Sequence, residues 1–393
     1  MSEPSAEGGR RSSSNIAKFY VYALLFWLVF WQPIIVLFWT DHGVSLAQIF
    51  WLKSAHGLTL LLAQLPSGAC ADRFGKRTAL LLGTSVSSAS LIVYLVGDGF
   101  WVFLVAELLA AVATSLVAAA DSALLHDMLR DLDRQTEFTD IMGKAGSLRF
   151  AAQGAGGILG GLAAGASYRL TFALTLITTV ASVAVISTMR EPIRRRPRES
   201  PVAATRVLRD AMGLFRTSAA LRALALYMAL LVSIDLIVLW SYQPYLQSAG
   251  IPVALFGFAY MLFNLTAATA SRFAARTERR IGANALLVVL PLVVVISVLL
   301  LGTFSGVWAI LFIAPLQLVR GMRVAVVHRR ILDGAESEKA TVLAVVNLLS
   351  RLIFFIGAPI FGWAAEHHGL PDALKALAIV WSVLFLLGAA ARR

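Results

Sequence analysis

Charged side chains are scarce in this chain. Only 14% of its 393 residues are Asp, Glu, Lys or Arg, against about 25% in soluble domains. A soluble fold of this length could not cover its surface with so few charges, and a mean hydropathy of +0.78 points the same way. Cysteine is nearly missing. Cys70 stands alone, which excludes an internal disulfide framework and any metal site built on thiolates. No Gly-x-x-x-x-Gly-Lys-Ser/Thr loop is present to cradle nucleotide phosphates. No nucleophile-and-base set stands outside the apolar runs, and Glu366-His367-His368 is too weak a cluster to read as a metal site. The chain therefore reads as no enzyme, with no metal and no cofactor. Its energy must come from an ion gradient, protons first, or from the gradient of its own solute.

Apolar residues fill the space: 59% of the chain is hydrophobic. At about 20 residues per span, the length accommodates about twelve transmembrane helices with short loops. Apolar runs lie near residues 16–40, 46–70, 78–96, 101–124, 142–166 and 170–189, then near 219–243, 253–275, 283–302, 306–327, 341–365 and 373–390. The first is too long for a signal-peptide core and has no small-residue cleavage site close behind it. The longest polar stretch, 190–218, sits mid-chain and carries eight arginines and three prolines. The expected organisation is a disordered cytoplasmic tail (1–15), a six-helix bundle (16–189), a basic cytoplasmic linker (190–218) and a second six-helix bundle (219–393).

The net charge of +12 does not imply nucleic acid. With the chain starting in the cytoplasm and crossing twelve times, Arg169 and Lys375 fall outside, and Lys53, Arg149 and Arg351 fall within spans. Every other Lys and Arg falls in cytoplasmic segments or at cytoplasmic helix ends. That is the positive-inside rule, and such charge contacts anionic lipid. The expected location is the plasma or inner membrane, with both termini cytoplasmic and the protein monomeric.

The halves resemble each other. Gly43-Val44-Ser45-Leu46-Ala47 opens the second run, and Gly250-Ile251-Pro252-Val253-Ala254 opens the eighth. Ala123-Leu124-Leu125-His126 and Ala325-Val326-Val327-His328 match at an offset of 202, as do Arg149 with Arg351 and Gly160 with Gly362. Parallel repeats of this kind are a transporter architecture with the substrate site between the halves.

Between the second and third runs stands Gly68-Ala69-Cys70-Ala71-Asp72-Arg73-Phe74-Gly75-Lys76-Arg77. The pattern Gly-x-x-x-Asp-Arg-x-Gly-[Arg/Lys]-[Arg/Lys] in the first cytoplasmic hairpin resembles the signature of the major facilitator superfamily, and the 6+6 layout extends the resemblance over the whole chain. Gly68 is expected to permit close helix approach and Gly75 a tight turn. The resemblance implies an all-α fold of twelve transmembrane helices in two pseudo-symmetric bundles. It also implies a conformational latch: Asp72 docks on the start of the eleventh helix, and Arg73, Lys76 or Arg77 pairs with an acid on the fourth, here Asp121. The fifth run carries Gly154-Ala155-Gly156-Gly157-Ile158-Leu159-Gly160-Gly161. Gly156/Gly160 and Gly157/Gly161 are spaced for small-residue helix packing. The run also resembles the antiporter signature of drug:proton exporters, although Ile158 stands where that pattern has proline.

Ionised groups in hydrocarbon cost at least about 2.5–3.5 kcal/mol and mark functional positions. Lys53, Glu107, Arg149, Asp235 and Arg351 lie deep in their runs and can line one cavity. Lys53 shares a stripe with His56, and Asp235 with Tyr242. Arg149 shares a face with Gln153, and Asn347 with Arg351. Trp27 and Trp31 add an aromatic stripe suited to an amphiphilic solute or a stacked cation. Lys53 beside Glu107 reads equally as a structural ion pair. Trp39 and Trp51 read as belt residues at the outer interface. Asp235 has no evident basic neighbour on its own helix and is the first choice for a proton site. Three functions compete: proton-coupled export of a small organic solute, facilitated or proton-coupled import of a polar nutrient, and a membrane scaffold or sensor that keeps the fold without transport.

Overall fold

A computed structural model describes residues 6–192, 219–323 and 339–390, and the regular elements among them are all helical. The first half carries α1 (Ala6–Trp27), α2 (Ile35–Asp41), α3 (Leu46–Phe74), α4 (Lys76–Val96), α5 (Phe100–Arg130), α6 (Phe138–Ala164) and α7 (Tyr168–Ser187). The second carries α8 (Ala219–Ser248), α9 (Phe256–Ile281), α10 (Ala283–Thr303), α11 (Ile313–Arg323), α12 (Lys339–His368) and α13 (Leu370–Ala390). Among the described residues, α3, α4, α5, α7, α8, α9, α10 and α12 are each long and apolar enough to cross a membrane. The linker from residue 193 onward and the Ala325–His328 repeat segment lie outside the described residues.

Two apolar runs are not the single helices the sequence led us to expect. The tenth opens as a 3-10 turn, Val307–Phe312, before α11. The first is broken into α1 and α2 between residues 28 and 34. Pro33 supplies the reason: it has no N–H to donate, and it disfavours helical backbone at Gln32 before it. A break at membrane depth leaves backbone groups that only protein can satisfy. Thr175 and Thr178 of α7 do so: the Phe30 N–H donates to Thr175 Oγ1 at 3.1 Å, and Thr178 Oγ1 donates to the Leu28 carbonyl at 3.3 Å. At the other end, α1 begins at Ala6, so residues 6–15 of the expected tail continue the helix.

Left-handed glycines mark equivalent turns. Gly43 and Gly250 have φ of 78° and 75°, Gly75 and Gly282 103° and 88°, and Gly99 and Gly306 84° and 99°. Each pair lies 207 residues apart, and each position disfavours any residue with a Cβ. Three turns of one geometry in one order are evidence for the repeat from backbone, not only from letters.

The chain divides into two compact units. One gathers the described residues of 1–38, 55–198 and 253–258; the other gathers those of 39–54, 199–252 and 259–393. Each unit thus includes a segment from the other half of the sequence, and both segments lie around the starts of equivalent runs, the second and the eighth. In the first unit, Gly157 and Gly161 of α6 receive residues 254–257. A Cβ on Gly161 would meet the Ala254 carbonyl oxygen at 2.9 Å, and one on Gly257 would strike the Gly157 backbone. The opposite edge of α6 receives the α1–α2 break: a Cβ on Gly156 would lie 2.7 Å from the Val29 carbonyl oxygen, and one on Gly160 would strike the Phe30 backbone. In the second unit, Phe50 of α3 packs edge-on against Phe361 of α12, with ring centroids 5.1 Å apart. Glu366 accepts from Ser45 Oγ at 2.7 Å and from the Ala47 N–H at 2.9 Å, capping the start of α3.

Candidate functional site

The motif hairpin is built from helix ends. Gly75 turns α3 into α4. Lys76, four residues past Asp72, pairs with it. Arg77 covers the C-terminus of α7, donating from Nε to the Ile186 carbonyl at 3.1 Å and from Nη2 to the Ser187 carbonyl at 2.5 Å. Glu191 returns the favour at the N-terminus of α4, accepting from the N–H groups of Arg77 and Thr78 at 3.2 and 3.3 Å. Cation at a C-terminus and anion at an N-terminus are the favourable placements for helix dipoles. The guanidinium of Arg73 lies 5.5 Å from the Phe74 ring. Gly68 does not permit a close approach here, because a Cβ at that position meets nothing within 4 Å.

Asp121 does not pair with the hairpin. It takes Arg149 of α6 in a two-pronged bond, Nη1 to Oδ2 at 2.7 Å and Nη2 to Oδ1 at 2.9 Å. The fork matches a carboxylate's geometry. The guanidinium also lies 5.7 Å from the Phe19 ring and 5.8 Å from the Trp27 ring. Trp27 therefore belongs with Arg149, while Trp31 stacks on Phe172 at 6.1 Å. The second unit holds a counterpart: Arg323 Nη1 of α11 lies 2.9 Å from Asp235 Oδ2 of α8. Asp235 thus has a basic partner, supplied by another helix, and its side chain and that of Arg323 are 13% and 15% exposed. Counting positive charge puts Arg320 and Arg323 at a cytoplasmic helix end, and in the structure both side chains turn inward. Arg320 donates to Gln317 Oε1 and to Asn264 Oδ1 of α9, each at 2.9 Å.

Glu107 of α5, 2% exposed, is the most deeply buried of the ionisable candidates. The Tyr94 hydroxyl donates to its Oε1 at 2.6 Å, and His56 Nδ1 lies 2.9 Å from its Oε2. The same nitrogen is 3.2 Å from the Glu107 carbonyl oxygen. Sequence reading missed Tyr94, and nothing in its spacing singled it out. Lys53, buried, belongs to the other unit, with its ammonium 4.7 Å from the Trp39 ring centroid and 4.0 Å from that of Trp240. Trp39 is fully buried and so is no belt residue, whereas Trp51 is 50% exposed.

The other candidates disperse. Tyr242 is buried edge-on to Phe263 at 5.7 Å and borders a small cavity with Val238, Ser241, Tyr245 and Leu301. It and Asp235 have different neighbours, so their shared stripe does not make a shared site. Gln153 is half-buried and Asn347 exposed. Arg351 is half-buried and makes no ion pair among the described residues.

The sequence profile of the Major Facilitator Superfamily matches residues 19–358. The chain belongs to that superfamily. It is a multi-pass membrane protein of a family of transporters, with the all-helical fold that its sequence led us to expect. A segment of 110 residues is 29% identical to the inner membrane transport protein YajR of Escherichia coli; it makes up 28% of this chain and spans about a quarter (24%) of that relative. Among solved structures, the nucleoside transporter NupG superposes with a TM-score of 0.76 at 13% identity, covering 96% of this chain and 99% of that one. A D-xylose-proton symporter superposes with a TM-score of 0.66 at 15% identity, covering 94% and 97%. At these identities the likeness is one of fold.

Proposed function

We propose that this superfamily member is a secondary active transporter that moves a small organic solute by alternating access, coupled to protons and working as an exporter. In this reading it sits in the plasma or inner membrane as a monomer, with both termini and the linker cytoplasmic. The hairpin from Gly68 to Arg77 and the glycines of α6 serve the change of conformation. The observation that supports the reading best is the set of ionisable groups within apolar spans: Asp121–Arg149, Asp235–Arg323 and Tyr94–Glu107–His56. Each burial carries a cost that a passive bundle has no reason to bear.

Import of a polar nutrient is the second reading. It is favoured by Arg320, Asn264 and Gln317, an interior cluster of donors and acceptors suited to a hydroxyl-rich solute. One experiment addresses both. Purified protein in proteoliposomes is offered a panel of lipophilic cations, organic anions, sugars, nucleosides and peptides under an imposed pH gradient. Export coupled to protons requires accumulation driven by the gradient in the antiport direction. Accumulation in the symport direction selects import, and flux indifferent to the gradient removes the coupling.

A further inference from the structure

We propose that Arg320 of α11 is an anion-binding residue and that the solute carries a carboxylate that pairs with it, with Gln317 and Asn264 as positioning residues that hold the guanidinium. The role in transport rests on the secondary-transporter reading above; the anion site itself does not.

Packing brings the guanidinium to its place. A Cβ on Gly321 would strike the Ala267 carbonyl oxygen of α9 and lie 2.9 Å from the Ala270 Cβ, so α11 meets the α9 backbone directly beside Arg320. Asn264, three residues before Ala267, donates from Nδ2 to the Tyr260 carbonyl at 2.8 Å. That bond leaves Oδ1 to accept from Arg320 Nη2 at 2.9 Å. Gln317, buried and one turn back on α11, accepts from Nη1 at 2.9 Å. A guanidinium has five N–H donors. The two amides take one each, and the other three have no acceptor among the described residues.

The amides supply dipoles and no charge, whereas the guanidinium stays cationic at any working pH. Three residues on, Arg323 of the same helix takes the carboxylate of Asp235, and in the first unit Arg149 takes that of Asp121. Arg320 is half-buried within an apolar run and has no carboxylate among the described residues. A cation so placed is costly and marks a functional position. A hydroxyl-rich solute would use the remaining donors and leave the charge in place. A carboxylate uses them and neutralises it, with two oxygens spaced for the fork. The phenols of Tyr260 on α9 and Tyr242 on α8 lie within reach of the same charge, which suits a carboxylate carried on an aromatic or apolar body. Arg351 is the competing cation, also half-buried, but no side chain holds its guanidinium among the described residues.

The test is the unfolding midpoint of the full-length protein in dodecyl maltoside, an uncharged detergent without phosphate, followed by tryptophan fluorescence with added benzoate. Benzamide and benzyl alcohol, at equal concentration and constant ionic strength, are the neutral counterparts. Benzoate should raise the wild-type midpoint saturably, and the neutral pair should not. Arg320→Gln should weaken benzoate binding at least about tenfold, the loss expected when charge-assisted bonds are removed. Gln317→Glu keeps Arg320 and supplies it with a carboxylate from its own helix. It should abolish the benzoate response from a starting midpoint at least as high as that of wild type. Because it preserves the contact with Nη1, it carries the test if Arg320→Gln fails to fold. Benzoate no better than benzamide overturns the proposal. So does a benzoate affinity indifferent to Arg320→Gln or to Gln317→Glu, or one lost in Arg351→Gln and normal in Arg320→Gln. Phosphatidylglycerol is added to the same micelles. If it stabilises wild type and not Arg320→Gln, while benzoate does nothing, the anion is a lipid headgroup and the solute proposal is overturned. With benzoate bound at Arg320, failure of proteoliposomes to move any carboxylate would count against the transport reading and leave the anion site standing.

Discussion

Replacing Arg149 with Met is the most direct challenge to the charge architecture. The variant keeps an aliphatic side chain and removes both bonds to Asp121, at 2.7 and 2.9 Å. The carboxylate is left 12% exposed without its cation. Breaking a buried pair from one side costs about 3–5 kcal/mol, because the remaining charge keeps its desolvation penalty. Both side chains retain some exposure, so the lower end, about 3 kcal/mol, is the figure to expect. At about 2 °C per kcal/mol for a large domain, that is a fall of roughly 6 °C in the midpoint of thermal unfolding. Asp121→Asn should cost a similar amount. The double variant Asp121→Asn/Arg149→Met, with no charge left to strand, should recover most of the loss, since contacting residues couple. Tryptophan fluorescence of detergent-purified protein on heating gives all four midpoints. Single variants within about 1 °C of wild type would refute the reasoning, and so would a double variant no better than the worse single.

The same logic applies in the second unit: Asp235→Asn and Arg323→Gln should each destabilise by about 3 kcal/mol, and the reversed pair Asp235→Arg/Arg323→Asp should be more stable than either charge-reversed single. Gly160→Ala should cost about 1–3 kcal/mol, because its Cβ strikes the fixed Phe30 backbone, whereas Gly68→Ala, facing open space within a helix, should be at least as stable as wild type on the same heating curve. For orientation, Ser200→Cys and Ser305→Cys in a Cys70→Ala background should differ in labelling by an impermeant maleimide on intact cells. Only position 305 should react, and the reverse pattern would invert the topology.

The fold was legible because hydropathy and turn glycines are local signals. Gly75 reads as a turn directly, Gly43 as the opening of a run, and the hairpin motif points to the superfamily, whereas Gly99 stands out only by its backbone angle. The break at Leu28 to Ile34 was less legible. Pro33 was visible, but a proline is tolerated inside several other helices here, α3, α8, α10 and α12 among them. What decides the break is a partner that no local pattern shows: Thr175 and Thr178, some 145–150 residues away, which satisfy the freed backbone. The candidate ionisable residues were found by depth, and their partners were not. Arg149 was matched with Gln153 on its own face, yet its partner is Asp121 on another helix. Arg323 reads from sequence as a helix-end charge, because positive charge near a cytoplasmic boundary is the ordinary case. The repeat offset held a clue: Arg323 lies 202 residues past Asp121, so the second half puts a cation where the first puts an anion.

That inversion matters for how such a protein can move. In the first unit the acid of α5 is answered by the base of α6; in the second, the base of α11 is answered by the acid of α8. Each pair is closed within its own unit. A change of conformation that displaces one unit against the other as a rigid body leaves both pairs intact, so it does not incur the roughly 3–5 kcal/mol per pair that separating buried charges would demand. The contacts of Glu107 with Tyr94 and His56 also lie within one unit, so the same displacement leaves them intact.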